Sequence, residues 1–264
     1  MKKKLIVANW KMSPDTLTEA REIFNTIRRT AKDLSHVETL VCPPFVFLSE
    51  LSKLVRSSRY GIGAQDVFWE DAGAYTGEVS PVHLERLDVR SVILGHSERR
   101  ALGENDKIVN KKVKACFKNG VQVILCVGEK ERDPHGNYLR FVKDQLKSSL
   151  FKVSKKDIGK LAVAYEPVWA ISSTRLTTSS SHHQGADTPE NVLEMSIFIR
   201  KILSDIYDKK VAMATPVLYG GSVTDENAER FLREGGARGF LVGRASLDAL
   251  KFTTILKIAE KVRN

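Results

Sequence analysis

The chain has 264 residues, 42% of them hydrophobic and 28% charged, so it can bury a core and is not a disordered polymer. Length alone leaves open two small domains or one large α/β domain. The formal net charge of +10 fits an anionic substrate or surface, but Lys and Arg are spread along the chain rather than massed in a tail or stripe, which argues against nucleic acid.

From the N-terminus, Met1-Lys2-Lys3-Lys4 leads into only Leu5-Ile6-Val7-Ala8 before the polar Asn9-Trp10-Lys11. A strand is therefore predicted at 5–8 rather than a secretory signal, and the cytoplasm is the expected compartment. An amphipathic helix is predicted over 16–32, then strands at 37–41, 60–64 and 91–94. Helix 106–119, strand 121–127, helix 138–150, strand 161–165, helix 189–207, strand 216–219, helix 225–234 and strand 239–242 complete the series. No apolar run approaches a membrane span, and Cys42, Cys116 and Cys126 lack the spacing of a metal site or a disulfide framework. Continuous apolar strands alternating with helices imply a parallel sheet covered on its outer face. No linker or composition shift interrupts the series, and no Gly-rich turn follows Ala8. The fold predicted is α/β, a single-domain (β/α)8 barrel over residues 1–264.

Barrels of this class build their sites at the C-terminal ends of strands. Those ends carry Asn9-Trp10-Lys11, Gly95-His96-Ser97-Glu98-Arg99-Arg100, Glu166, Gly220-Gly221-Ser222 and Gly243-Arg244. Glu166 at a buried strand tip, followed by Pro167 and a Ser/Thr-rich loop, is a candidate general base, or else a cap or surface carboxylate. His96 is a candidate hydrogen-bond donor or a structural histidine; Ser97 is placed to cap a short helix begun by Glu98, and a helix N-terminus favours a neutral imidazole. Lys11 is either a solvated strand end or a cation for negative charge developing on oxygen. The two Gly-containing turns are ordinary punctuation taken singly, and together they fit a phosphate site built from backbone N–H groups.

These residues and their order resemble the triosephosphate isomerase family over essentially the whole chain. The likeness is carried by Ala8-Asn9-Trp10-Lys11-Met12, Cys42-Pro43-Pro44-Phe45, Gly63-Ala64-Gln65-Asp66, Gly73-Ala74-Tyr75-Thr76-Gly77-Glu78-Val79-Ser80, Gly95-His96-Ser97-Glu98-Arg99-Arg100, Cys126-Val127-Gly128-Glu129, Tyr165-Glu166-Pro167-Val168-Trp169-Ala170-Ile171 and Leu218-Tyr219-Gly220-Gly221-Ser222-Val223. The resemblance implies interconversion of dihydroxyacetone phosphate and glyceraldehyde 3-phosphate through an enediol(ate), a step of glycolysis and gluconeogenesis, with no cofactor and no metal. It implies Glu166 as the proton-moving base, His96 as the electrophile, Lys11 as the neutralising cation, Asn9 on the substrate oxygen and Glu98 against Lys11. Such enzymes are themselves the reference case for a carboxylate base paired with a neutral, helix-tuned histidine. Amides of Ser172, Ser222, Gly243 and Arg244 would grip the phosphate. The segment 65–80 resembles a loop that inserts into a neighbouring subunit, with Thr76 reaching toward the partner's site, which implies a homodimer.

The family's lid reads Ile-Gly-Thr-Gly-Lys-Thr-Ala before Thr-Pro-Glu, whereas here Ile171 leads into Ser172-Ser173-Thr174-Arg175 and a long polar stretch before Asp187-Thr188-Pro189-Glu190. Aligned on Ser172, Arg175 stands opposite the lysine, and an insertion of roughly ten residues follows, a length surface loops tolerate. His182-His183 within it suggest metal only weakly, having no nearby Cys or carboxylate partners. Gly243-Arg244 replaces two glycines, so Arg244 must take a negative φ, with its side chain expected to point outward; Asp66 replaces Asn. The altered lid keeps two alternatives open: a non-catalytic sugar-phosphate sensor or scaffold, and an isomerase of a four-carbon ketose phosphate.

Overall fold

The computed structural model describes residues 3–171 and 187–262. Its elements in chain order are β1 (Lys4–Asn9), α1 (Leu17–Ala31), β2 (Val37–Cys42), α2 (Phe45–Ser52), β3 (Tyr60–Ala64), α3 (Pro81–Arg86), β4 (Ser91–Leu94), α4 (Ser97–Ala101), α5 (Asp106–Lys118), β5 (Gln122–Val127), α6 (Asn137–Ser149), β6 (Leu161–Tyr165), α7 (Pro189–Ile206), α8 (Lys209–Ala214), β7 (Val217–Tyr219), α9 (Ala228–Glu234), β8 (Gly239–Val242) and α10 (Ala249–Lys261). The eight strands pair in sequence order, all parallel, and β8 closes on β1 with Ile6 opposite Phe240 and Val7 opposite Leu241. This is a single (β/α)8 barrel, as the alternation of strands and helices predicts.

Strand residues alternate between two cores. Val7, Leu40, Ile93, Ile124, Leu218 and Leu241 fill the barrel lumen, while Ile6, Ala8, Val41 and Ile62 face the helices. Both faces are covered, which is why the strands read as unbroken apolar runs. The helices show the complementary pattern. In α1, Thr16 caps the first turn by accepting the Glu19 N–H at 3.2 Å, and Ala20, Phe24, Ile27 and Ala31, three or four residues apart, are fully buried.

Boundaries move by up to three residues from the sequence reading, most at α9, which starts at Ala228 rather than at Asp225. Proline has no N–H to donate, and β7 starts at Val217, one residue after Pro216. Four further helices, α2, α3, α8 and α10, lie outside the patterns named above. Three of them have only six to eight residues, too short for a helical period to stand out. The ends of β1, β4, β6, β7 and β8 open on one side of the barrel, where the polar residues gather.

Candidate active site

β1 ends at Asn9, whose buried Oδ1 accepts the Lys11 N–H at 3.1 Å. Lys11 holds φ at 54°, a left-handed conformation that costs a residue with a Cβ about 1–2 kcal/mol. The Asn9 carboxamide helps offset that cost, and so does Gln65, whose Nε2 donates to the carbonyls of Lys11 at 2.7 Å and Cys42 at 2.8 Å. The turn sends the Lys11 ammonium across to the start of α4, where it meets Glu98 Oε1 at 2.5 Å.

α4 is capped by His96 rather than by Ser97. Ser97 is already the first helical residue, whereas the backbone of His96 stands outside the helix at φ −53° and ψ 143°. His96 Nδ1 accepts the Glu98 N–H at 3.2 Å. An accepting nitrogen carries no proton, so a neutral ring bears its hydrogen on Nε2. That nitrogen lies 3.2 Å from Oε1 of Glu166. The other Glu166 oxygen accepts the Ser97 N–H at 3.1 Å, at the positive end of α4.

Glu166 follows directly on β6 and is 2% exposed. Its backbone is packed so closely on the β5 end that a Cβ on Gly128 would sit 1.8 Å from its carbonyl oxygen, so only glycine fits there. Burial, followed by the charge of Glu166, pushes the Cys126 thiol well above its usual range. Cys126 is therefore an inert neighbour of the carboxylate rather than a nucleophile.

On the far side of the cavity, the Ser222 hydroxyl donates to the Ala170 carbonyl at 3.0 Å, and Asn227 Nδ2 holds the Ser222 carbonyl at 2.9 Å. Gly243 opens a short 3-10 turn at Arg244–Ser246, closed by the Ser246 N–H and hydroxyl on the Gly243 carbonyl. Arg244 is exposed, and the described non-glycine residues with positive φ are Lys11, Asp88 and Lys152, so Arg244 takes an ordinary backbone. Asn9, Lys11, His96, Glu166, Ser222 and Gly243 share one cavity of about 520 Å³, with Glu98 and Arg244 also on its wall. Ser172, Arg175 and His182-His183 lie outside the described residues.

The sequence reading passed over the supports of this arrangement. Gln65 is one; Glu129 is another, accepting at a single oxygen from the Tyr165 hydroxyl at 2.8 Å and Trp169 Nε1 at 2.9 Å, which anchors the segment after Glu166. A carboxylate two residues beyond an apolar strand was the available signal for Glu129. Among the described residues no cluster of His, Cys, Asp and Glu could hold a metal ion, and no helix is long and apolar enough to cross a membrane.

A buried carboxylate, an imidazole and an ammonium converging at the strand ends of a (β/α)8 barrel define a proton-transfer enzyme of the barrel class. Comparison with known proteins specifies it further. The family model described as triosephosphate isomerase matches residues 4–259. Curated relatives bearing that name include those of Thermodesulfovibrio yellowstonii, 40% identical over 259 residues, and Dictyoglomus thermophilum, 39% identical over 259 residues, each covering 97% of this chain and 100% of the relative. The protein of Dehalococcoides mccartyi strain 195 is 37% identical over 265 residues, with full coverage of both chains. The chain belongs to the triosephosphate isomerase family.

Proposed function

We propose that this protein interconverts dihydroxyacetone phosphate and glyceraldehyde 3-phosphate by moving one proton between adjacent carbons through an enediol(ate). The observation that carries the mechanism is the contact of His96 Nε2 with Glu166 Oε1 at 3.2 Å, both groups buried and both facing the cavity that Lys11 enters. A substrate carbonyl entering there takes over the Nε2–H hydrogen bond, and Glu166 is left to abstract the proton from the neighbouring carbon. Negative charge then develops on the carbonyl oxygen. His96 and Asn9 stabilise it by hydrogen bonding, and Lys11, held by Glu98, stabilises it by charge. The hydroxyl proton of the adjacent oxygen passes to the former carbonyl oxygen by way of His96, Glu166 returns its proton to the other carbon, and the base is regenerated with no atom gained or lost.

Amides at Ser222, Gly243 and Arg244, with Ser172 from the lid, bind the phosphate in this reading. Metal and cofactor play no part in it. The chain works as one domain over residues 1–264 in the cytoplasm, without nucleic acid, as a homodimer through loop 65–80 with Thr76 toward the partner's site. Support for the dimer comes from Gln65, which ties the start of that loop to the carbonyls of Lys11 and Cys42. Their chain neighbours Met12, Phe45 and Val46 expose apolar side chains, as does Tyr75 within the loop. Neither the sensor reading nor the four-carbon ketose phosphate gains support from any relative.

A coupled assay on purified protein tests the proposal. Isomerisation of glyceraldehyde 3-phosphate at an enzymatic rate is expected; turnover no faster than buffer would remove it.

A further inference from the structure

Cations that are dispersed along the sequence are gathered by the fold at one end of the barrel. In a closed parallel barrel, every segment that runs from a helix to the next strand lies at the end where the strands begin. Lys3 and those segments, 32–36, 53–59, 87–90, 119–121, 150–160, 215–216 and 235–238, hold eleven Lys or Arg against three Asp, a net of +8. The described segments from strand to helix, at the mouth of the cavity, hold four Lys or Arg against thirteen Asp or Glu, a net of −9. The connections thus make the molecule an electric dipole whose positive pole faces away from Glu166.

The cations stand on the rim itself. The carbonyls of Arg59, Arg90 and Arg238 accept the N–H groups of Thr39, Gln122 and Leu5, each in the neighbouring strand, at 3.0 Å, 3.0 Å and 3.1 Å. Nine of the eleven cations are exposed, and Lys160 and Arg238 are half-buried. Lys53 pairs with Glu50 and Lys155 with Asp208; the other nine form no ion pair among the described residues. Burial first, and the Arg238 charge second, hold the Arg200 guanidinium below its usual range, so cation faces cation there. The outer helices end on this side, and their dipoles favour nearby positive charge. Helix ends do not call for an exposed aromatic ring among the cations, which the turn after α6 supplies. Phe151 is 59% exposed, with Lys114 Nζ 5.9 Å and Lys152 Nζ 5.4 Å from its ring centroid. Buried Asn110 holds that turn, donating to the carbonyls of Ser149 at 2.9 Å and Phe151 at 3.0 Å.

We propose that this end of the barrel is a docking surface for an anionic lipid bilayer, with Phe151 entering the headgroup layer and the cavity mouth turned outward to solvent. Each Lys or Arg held near such a surface strengthens binding roughly fivefold, and the effect fades beyond a Debye length. An exposed aromatic side chain adds the apolar contact that charge alone lacks. A ring of separate chain segments presents a face rather than a stripe, which suits the plane of a bilayer better than the groove of a duplex. Seven of the eleven cations are lysine, a point charge without the planar fork of arginine. The acidic mouth is repelled by the same surface, so the attachment is oriented and leaves the path to Glu166 open.

Flotation of the full chain with vesicles tests this, and it uses no substrate, so its outcome is separate from that of the isomerase assay. Binding is expected to vesicles of phosphatidylglycerol and phosphatidylcholine in equal parts, and not to phosphatidylcholine alone. It should weaken at least tenfold as salt rises from about 0.1 M, where the Debye length is about 10 Å, to about 1 M, where it is about 3 Å. Lys152→Glu combined with Lys156→Glu should weaken it at least tenfold and leave kcat/KM within about twofold. Phe151→Ala should weaken it about fivefold, and Lys130→Glu, at the mouth end, less than about twofold. Vesicle-bound enzyme should keep the KM of free enzyme. No flotation with the anionic vesicles at about 0.1 M salt, or equal weakening by Lys130→Glu and the Lys152/Lys156 reversal, would overturn the proposal. Retention on duplex DNA or RNA with the vesicles left unbound would overturn it too, and a raised KM on the vesicles would overturn the outward orientation.

Discussion

The Nε2 of His96 lies 3.2 Å from the Oε1 of Glu166, and the opposite nitrogen of the same ring accepts the Glu98 N–H, also at 3.2 Å. One ring thus joins the helix terminus to the carboxylate, and its tautomer is set by the backbone. Nitrogen NMR of the imidazole should therefore show a neutral ring protonated at Nε2 near pH 7. His96→Asn, which keeps a polar group but loses the reach, should lower kcat by about 10²-fold or more, in the range of a lost general acid or oxyanion donor. A ring protonated at Nδ1 would contradict the reading.

Lys11 and Glu98 are joined at 2.5 Å, each side chain about 31% exposed, across the gap between β1 and α4. A half-buried pair open to the cavity adds little to stability, so its effect should appear in catalysis. Lys11→Met should reduce kcat/KM by about 10²-fold or more, and Glu98→Gln by about tenfold, since the ammonium remains but loses its tether. Melting temperatures within a few degrees of wild type, alongside those kinetic losses, are the expected pattern. Equal kinetic losses in the two variants would contradict it.

Asp187 gives a pH dependence of stability with a definite sign. Burial raises its carboxyl from 3.8 to about 6, so between those values the folded chain holds a proton that the unfolded chain has released. Stability contributed by this group is therefore fully present below pH 3.8 and declines as pH rises through about 6. The full decline is on the order of 3 kcal/mol. Asp187→Asn should match wild type at about pH 3.5 and melt about 8 °C higher at pH 7.5, read by thermal denaturation at both values. The same melting difference at both pH values would show that the buried carboxyl is not the cause.

Much of this was readable in the chain. Apolar runs such as 161–165 and their alternation with helices specify the barrel, because both faces of each strand are covered. The polar residues at the strand tips identify the cavity wall, since that is where a closed parallel barrel leaves side chains unburied. What stayed hidden depends on three-dimensional placement. A serine after a histidine reads as the better cap, yet the backbone bend falls one residue earlier, and the imidazole takes the role. Gln65 lies 54 residues from Lys11 and supports it through a carbonyl, a contact that leaves no trace in local pattern.

The central claim is that Glu166 carries the proton, and replacing its carboxylate tests this most directly. Glu166→Gln retains the shape and the acceptor for the Ser97 N–H but has no basic oxygen. Turnover of glyceraldehyde 3-phosphate should fall by about 10³-fold or more with KM changed little, and reaction of the wild type in deuterated water should place solvent deuterium on the carbon that receives the proton. A Glu166→Gln protein that turns over within a few-fold of wild type would contradict the assignment.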